Sequence, residues 1–160
     1  MAEQRSVVYV TKERLSEIEK ELQHLKFHAR KEIADKIAEA RAQGDLSENA
    51  EYDAAREEQG LLELRIHKME VMLMNSTIID ESQIAIDKVG MLTKVRVLNK
   101  KTKKEATYQI VSAEDADFNT GKISASSPIG KALLNHAVGD SVQIKVPAGV
   151  LEFKIIEISR

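Results

Sequence analysis

The sequence predicts an α+β protein in which a long antiparallel helical hairpin precedes a small antiparallel β-sheet domain with one short helix. Two observations lead to this prediction. Apolar residues at helical spacing run along two long segments, one on each side of the polar stretch at residues 44–52. After Met74 the pattern changes to short runs of β-branched residues, several of which alternate with polar residues.

The apolar positions of the two helical segments mirror each other about a midpoint between Asp45 and Leu46. Two antiparallel helices joined by a tight turn require such a mirror, because facing side chains must lie equally far from the bend. Residues 44–52 are therefore predicted to form the tip of the hairpin. The mirrored pairs are Ile37 with Ala54, Ala29 with Leu62, Leu25 with Ile66, Leu22 with Met69, and Ile18 with Leu73.

The spacing of the apolar residues changes partway along the first helical segment. Up to Ala29 the spacings alternate between three and four residues, as in a heptad repeat. From Ala29 through Ile33 and Ile37 to Ala40 they are four, four and three, an eleven-residue period. We expect the left-handed supercoil to unwind locally there.

The remainder of the chain is predicted to form a separate sheet domain. The division places the hairpin with its acidic tip in residues 1–76 and the second domain in residues 77–160. A short helix is expected at residues 131–135. Strands are expected at residues 78–79, 93–98, 105–111, 122–125, 141–146 and 150–158.

Composition limits the class of protein. The chain has 160 residues, a formal net charge of -2 and no cysteine, so it has neither disulfides nor zinc–thiolate sites. Neither domain is polybasic, so any contact with nucleic acid should be local and depend on a larger partner. No apolar stretch is long enough to cross a membrane, and no targeting signal is visible. The absence of cysteine suits the reducing cytoplasm, and we expect a monomer.

Two acidic residues, Asp45 and Glu48, stand at the predicted tip. Helix capping explains them, since Asp45 and Glu48 have the spacing of a capping-box variant and Ser47 is a second possible cap. Metal binding explains them too, because two carboxylates three residues apart at a helix start can offer hard oxygen ligands to Mg²⁺. Two carboxylates are too few to hold the ion without further ligands from water, phosphate or another protein.

The tip sequence, Gly-Asp-Leu-Ser-Glu-Asn-Ala-Glu-Tyr, resembles that of the bacterial transcription elongation and transcript-cleavage factors of the Gre family. The resemblance covers nearly the whole chain. It extends to residues 38–41, 54–57, 78–80, 108–111, 116–118 and 126–130. It implies an FKBP-like fold for the C-terminal domain, which would dock at the mouth of the secondary channel of RNA polymerase through Ser127, Pro128 and Ile129.

The resemblance also implies how the hairpin would act. It would enter the channel, where Asp45 and Glu48 would complete the coordination of a Mg²⁺ ion shared with the polymerase. The polymerase's own nuclease activity would then cleave the 3′ end of the nascent RNA in backtracked complexes. In this interpretation the free protein binds no cofactor stably and is not itself an enzyme.

Basic residues near the tip have two interpretations. Lys36, Arg41 and Arg56 could steady the RNA 3′ segment, or they could serve only the solubility of the helices.

Two other function classes remain as alternatives. One is an autonomous carboxylate metallonuclease, which should show more metal ligands than this sequence offers. The other is an FKBP-like isomerase or a coiled-coil adaptor without cleavage activity. An isomerase pocket should be rich in aromatic residues, whereas the C-terminal half contains only Tyr108, Phe118 and Phe153.

Overall fold

The computed structural model describes residues 6–45 and 49–160. The helices are α1 (Lys12–His24), α2 (Arg30–Ala42), α3 (Ala50–Met74) and α4 (Pro128–Leu133), and a π-helical segment (Leu25–Ala29) separates α1 from α2. The strands are β1 (Val8–Val10), β2 (Ser76–Ile78), β3 (Lys94–Asn99), β4 (Glu105–Val111), β5 (Lys122–Ser124), β6 (Ser141–Val146) and β7 (Gly149–Ser159). Short 3-10 turns occur at Glu81–Gln83, Ala113–Asp115 and Phe118–Thr120.

The chain packs as two units. The hairpin unit is Glu13–Asn75, and the sheet unit joins Ser76–Arg160 to the described residues up to Lys12.

Within the part of the chain that the structure describes, none of the helices is both long enough and apolar enough to cross a membrane.

The hairpin unit has the predicted antiparallel arrangement. Ion pairs join its two arms, and in three of them the residue numbers rise along the first arm as they fall along α3; a further pair, Arg65 with Glu21, lies outside this order. The three ordered pairs are exposed or partly exposed, so they contribute little to stability and mainly report the pairing of the arms. They are Lys26 with Glu70, Arg30 with Glu63 and Lys36 with Glu58, at N···O distances of 2.5, 2.8 and 2.8 Å.

Buried apolar side chains form a single seam between the arms. On the first arm the seam contains Ile18, Leu22, Leu25, Ile33, Ile37 and Ala40; on α3 it contains Ala55, Leu62, Ile66, Met69 and Met72. The predicted seam is wrong at three positions, because Ala54 is exposed beside buried Ala55, Leu73 is less buried than Met72, and Ala29 is only half-buried. The mirror rule assumes equal helical turns in both arms, and the first arm contains a π-helical turn that breaks this equality.

The π-helical segment accounts for the change of spacing seen in the sequence. Buried positions are four and three residues apart from Ile18 to Leu25, but the next one, Ile33, lies eight residues on instead of seven. A π-turn holds about one residue more than an α-turn, so the segment Leu25–Ala29 absorbs the extra residue. The irregularity is therefore a local widening of the helix that lies before the stretch 29–40, and the expected unwinding of the supercoil stays a prediction.

The sheet unit contains a five-stranded sheet with the order β5-β4-β3-β7-β6. The strands predicted after Met74 are confirmed, but the prediction of a wholly antiparallel sheet is wrong at one edge, where β5 runs parallel to β4. Parallel neighbours need a crossover connection rather than a tight hairpin. The chain makes that crossover between Val111 and Lys122, through two of the 3-10 turns.

The core of the sheet unit is closed to solvent. Val95, Val97, Ile110 and Ile155 from the central strands are fully buried, and Leu133 of α4 packs against them. Helix α4 begins three residues earlier than predicted. Ser127 caps it and Pro128 occupies its first turn, where a missing N–H costs nothing.

Strand β1 joins the N-terminal residues to the sheet unit. It pairs in parallel with β2, and both Val8 and Val10 are fully buried. The Tyr9 backbone N–H donates to the Ser112 hydroxyl at 3.0 Å. The predicted division at residue 76 assigns this strand to the hairpin domain, whereas its packing assigns it to the sheet unit. Three residues are too few to show a strand pattern in the sequence.

Candidate functional site

The end of the hairpin carries the first candidate site. Helix α2 ends at Ala42, and Gly44 follows with φ of +124°, a conformation that favours glycine because a side chain would be strained there. Asp45 follows Gly44 and is exposed. Glu48, together with Leu46 and Ser47, lies outside the described residues.

The N-terminus of α3 shows that capping does not require Asp45. The N-cap is Asn49, whose side-chain oxygen accepts a hydrogen bond from the Tyr52 backbone N–H at 3.0 Å. The N-cap of α3 is thus Asn49 and not Asp45, whereas the predicted capping roles of Ser47 and Glu48 lie outside the described residues. Asn is as good an N-cap as Asp or Ser, which is why composition alone did not identify it.

The donor chemistry at the tip fits part of a Mg²⁺ site. Mg²⁺ takes about six oxygen ligands, and the exposed Asp45 carboxylate offers oxygens of the required hard type. Among residues 6–45 and 49–160, no three carboxylate or imidazole side chains gather closely enough to hold a metal. Asp45 could thus contribute to a metal site only with ligands from elsewhere.

The three basic residues predicted to contact RNA lie toward the tip half of the hairpin, and all are exposed. Lys36 pairs with Glu58, and this hydrogen bond raises the pKa of the lysine above its ordinary value. The Arg41 guanidinium lies over the Tyr52 ring, 5.8 Å from its centroid, in a cation–π contact. Arg56 donates to the Gln59 amide oxygen at 3.2 Å. Each of these contacts is solvent-accessible, so each basic side chain can readily exchange its present partner for an anion or another hydrogen-bond acceptor.

The sheet unit carries the second candidate site, around the predicted docking residues. Ser127 accepts a hydrogen bond from the Gly130 N–H at 3.0 Å and donates one to the Ser124 carbonyl at 2.7 Å. These bonds fix Pro128 and Ile129 at the start of α4. A cavity of about 320 Å³ opens beside them. It is lined by Ala116, Phe118, Lys122, Ile123, Ser124, Ser127, Pro128, Ile129 and Val146.

Gly130 permits this cavity wall to form. A Cβ atom at Gly130 would stand 2.1 Å from the Ser124 carbonyl oxygen, so only glycine allows α4 to lie this close to the end of β5. Phe118, which also lines the cavity, is 72% exposed. Sequence reasoning did not single out Phe118 for docking, although a large aromatic in a polar, acidic loop is a detectable signal.

Comparison with known proteins follows the division into two domains. The chain matches the family model described as "Transcription elongation factor, N-terminal" over residues 8–78, and the model described as "Transcription elongation factor, GreA/GreB, C-term" over residues 83–160. The transcription elongation factor GreA of Flavobacterium johnsoniae is 49% identical over 154 residues, which are 96% of this chain and 98% of that protein. That of Chlorobium phaeobacteroides is 52% identical over 153 residues, covering 94% and 96%.

Among solved structures, GreA factor homolog 1 of Thermus thermophilus is 27% identical, with 97% of this chain and 100% of that chain covered and a TM-score of 0.46. The class of protein defined by the sequence matches is a transcription elongation factor. The chain belongs to the GreA/GreB family.

Proposed function

We propose that the protein binds bacterial RNA polymerase at its secondary channel and stimulates the polymerase's own cleavage of the nascent RNA 3′ end in backtracked or arrested complexes. The observation that carries the proposal is the exposed Asp45 at the end of a helical hairpin, in a chain of the GreA/GreB family. In this role the protein is an activator rather than an enzyme. It acts as a monomer in the cytoplasm, where the polymerase is found.

The tip residues would act together with the polymerase. Asp45 and Glu48 would offer carboxylate oxygens to a Mg²⁺ ion shared with the polymerase, and no cofactor would stay on the free protein. A second metal ion in such a site supplies stabilisation of the attacking and leaving oxygens during phosphodiester hydrolysis. The protein's own contribution is to deliver its carboxylates to the active site and to hold them there.

The construction of the hairpin supports such a delivery. Its seam ends toward the tip in the small residues Ala40 and Ala55, which let the two backbones approach closely. Larger residues, Ile18 and Ile66, fill the seam farther from the tip. We therefore expect the hairpin to be narrower around Ala40 and Ala55, as entry into a channel requires.

Contacts to the RNA would come from Lys36, Arg41 and Arg56. Each is exposed and is held only by a surface contact, so an RNA phosphate could replace its present partner at little cost. The small number of these residues suits a local contact within the polymerase rather than independent binding of nucleic acid.

Docking would use the cavity of the sheet unit. Its walls are largely apolar, with Phe118, Ile123 and Pro128 on them, and its size suits one apolar side chain of the polymerase. Aromatic residues at such positions often carry much of an interface's binding energy. The sheet unit thus supplies affinity, and the hairpin unit supplies the reactive groups.

The test is to incubate a stalled, backtracked polymerase complex with Mg²⁺, with and without the protein, and to follow shortening of the labelled RNA. We expect cleavage only in the complex, and no hydrolysis of free RNA by the purified protein at any Mg²⁺ concentration. Hydrolysis of free RNA that is lost in an Asp45→Asn variant would instead identify an autonomous metallonuclease. Binding without any cleavage would identify an adaptor.

A further inference from the structure

Asn49 makes three hydrogen bonds that together join the two arms of the hairpin at its tip. Its side-chain oxygen accepts from the Tyr52 backbone N–H at 3.0 Å, and its backbone carbonyl accepts from the Asp53 N–H at 3.1 Å. Its side-chain nitrogen donates to the Ala40 carbonyl, in the last turn of α2, at 2.6 Å. The half-buried Asn49 side chain therefore caps α3 and also forms a hydrogen bond with the last turn of α2.

The orientation of the Asn49 amide follows from the chemistry of its partners. The Tyr52 N–H can only donate, so it must face the amide oxygen, and the Ala40 carbonyl can only accept, so it must face the amide nitrogen. A flipped amide would lose both bonds. The assignment of the two atoms is therefore unambiguous.

Capping alone does not call for asparagine at this position. Asp and Ser cap helices about as well, and the sheet unit uses Asp80, Asp117 and Ser127 in this role. Neither Asp nor Ser can make the second bond at the same time, because a carboxylate has no donor and a hydroxyl is too short to span both partners. Asparagine is the residue that this pair of contacts requires.

The two contacts fix both ends of the segment that carries Asp45. On the α2 side, the Gln43 N–H also donates to the Ala40 carbonyl at 3.3 Å, so that carbonyl anchors the start of the turn. The cation–π contact between Arg41 and Tyr52 links the same two helix ends a second time. That second contact is exposed and weak, so the Asn49–Ala40 hydrogen bond is the stronger of the two links.

We propose that Asn49 is a positioning residue that holds the ends of the tip segment together, so that Asp45 is presented to the polymerase in one geometry. This inference rests on the proposed function. A displacement of about 1 Å in a reacting group can lower a rate by roughly 100-fold. The bond from Asn49 to Ala40 thus governs the rate of cleavage without touching RNA or metal.

The experiment separates the bond to Ala40 from the cap. Asn49→Asp and Asn49→Ser keep an acceptor for the Tyr52 N–H and lose the donor to Ala40, whereas Asn49→Ala loses both. Asn75→Ser makes a matched change at the opposite end of α3. Cleavage is measured in the backtracked complex at saturating factor, and affinity for the polymerase is measured separately.

We expect Asn49→Asp and Asn49→Ser to cleave about 10-fold more slowly or worse. Their affinity and thermal midpoint should stay close to those of the original protein, and Asn75→Ser should cleave normally. If Asn49→Asp and Asn49→Ser cleave normally while Asn49→Ala fails, Asn49 is only a cap and the positioning role is wrong.

A second measurement uses the free protein and does not depend on the polymerase. The NMR order parameters of the Gly44 and Asp45 amides should lie near 0.8 in the original protein and fall below about 0.6 in Asn49→Asp and Asn49→Ser. Equal order parameters in all variants would overturn the positioning role. Normal cleavage by an Asp45→Asn variant would overturn the proposed function alone, and the order parameters would still decide the role of Asn49.

Discussion

The hairpin unit and the sheet unit are stabilised in different ways. The hairpin has one seam of buried residues between its arms, and its arms are also joined by ion pairs that are exposed or partly exposed. The sheet unit encloses a core in which Val95, Val97 and Ile155 are fully buried. A substitution at one seam position disturbs mainly the packing of its neighbours, whereas a substitution in the closed core destabilises the whole unit. The hairpin can therefore carry reactive groups at its end with little effect on the rest of the protein.

The largest expected effect is on the core of the sheet unit. Ile155→Ala should lower the free energy of unfolding by about 4 kcal/mol, because it leaves a cavity that rigid neighbours cannot fill. Leu62→Ala in the seam should cost nearer to about 2 kcal/mol, since that side chain lies at the edge of a two-helix layer that can relax. Chemical denaturation monitored by circular dichroism measures both. Equal losses would show that the two units do not differ in this respect.

The next effect is on activity alone. Asp45→Asn should lower stimulated cleavage by about 100-fold, as expected for the loss of a group that stabilises charge in a transition state. The free energy of unfolding should change by less than about 0.5 kcal/mol, because Asp45 is exposed and does not cap α3. The control is Asp35→Asn, the same change at an exposed position of α2. A loss of cleavage in both variants would mean that general charge, rather than the tip carboxylate, is responsible.

A smaller effect is expected on affinity. Phe118→Ala should weaken binding to the polymerase by about 10-fold, or roughly 1.4 kcal/mol, while cleavage at saturating factor stays the same. Phe27 in the hairpin is a matched control, because it is 69% exposed against 72% for Phe118. Phe27→Ala should bind normally. If it weakens binding as much as Phe118→Ala does, affinity does not belong to the sheet unit alone.

The smallest effect is a dependence of the hairpin on pH. The hydrogen bond from Arg30 holds the pKa of Glu63 below its ordinary value near 4.5, and Lys26 does the same for Glu70. Because these pKa values are lower in the folded protein than in the unfolded chain, the two pairs stabilise the hairpin above about pH 4.5 and lose that contribution on acidification below it.

This contribution should be small, since both pairs are exposed to solvent. Thermal melts of the helical signal between pH 6 and pH 3 should show a slightly shallower decline for Glu63→Gln than for the original protein. If the thermal midpoint falls equally with pH in the two proteins, the Arg30–Glu63 pair does not contribute to the pH dependence of stability.

The sequence predicted the structural elements whose residue patterns repeat along the chain. Mirrored apolar spacing identified the hairpin, and β-branched runs identified the strands, because each pattern is repeated over many residues. Features that depend on one or two contacts were missed. The parallel pairing of β5 depends on the path of the crossover, and β1 depends on a partner nearly seventy residues away in the chain.

The candidate sites divide in the same way. The acidic residues of the tip were visible as a motif, and Asp45 is exposed there, whereas the roles of Asn49 and Phe118 were not recognised. Asn49 was predictable only if the end of α2 and the start of α3 were known to one residue, since its two side-chain bonds reach one helix each. The role of Phe118 depends on the cavity that it lines. That cavity forms because Gly130 lets the backbone of α4 lie close to Ser124 at the end of β5.

The π-helical segment Leu25–Ala29 has a consequence at the level of the gene. One extra codon there adds a residue to the first arm without moving the seam residues on either side out of their places, because the widened turn takes up the addition. Removing a single codon within this segment should convert α1 and α2 into one uninterrupted α-helix in which Leu25 and Ile33 still face α3. We therefore expect the deletion of one amino acid in this segment to leave the seam in register with α3.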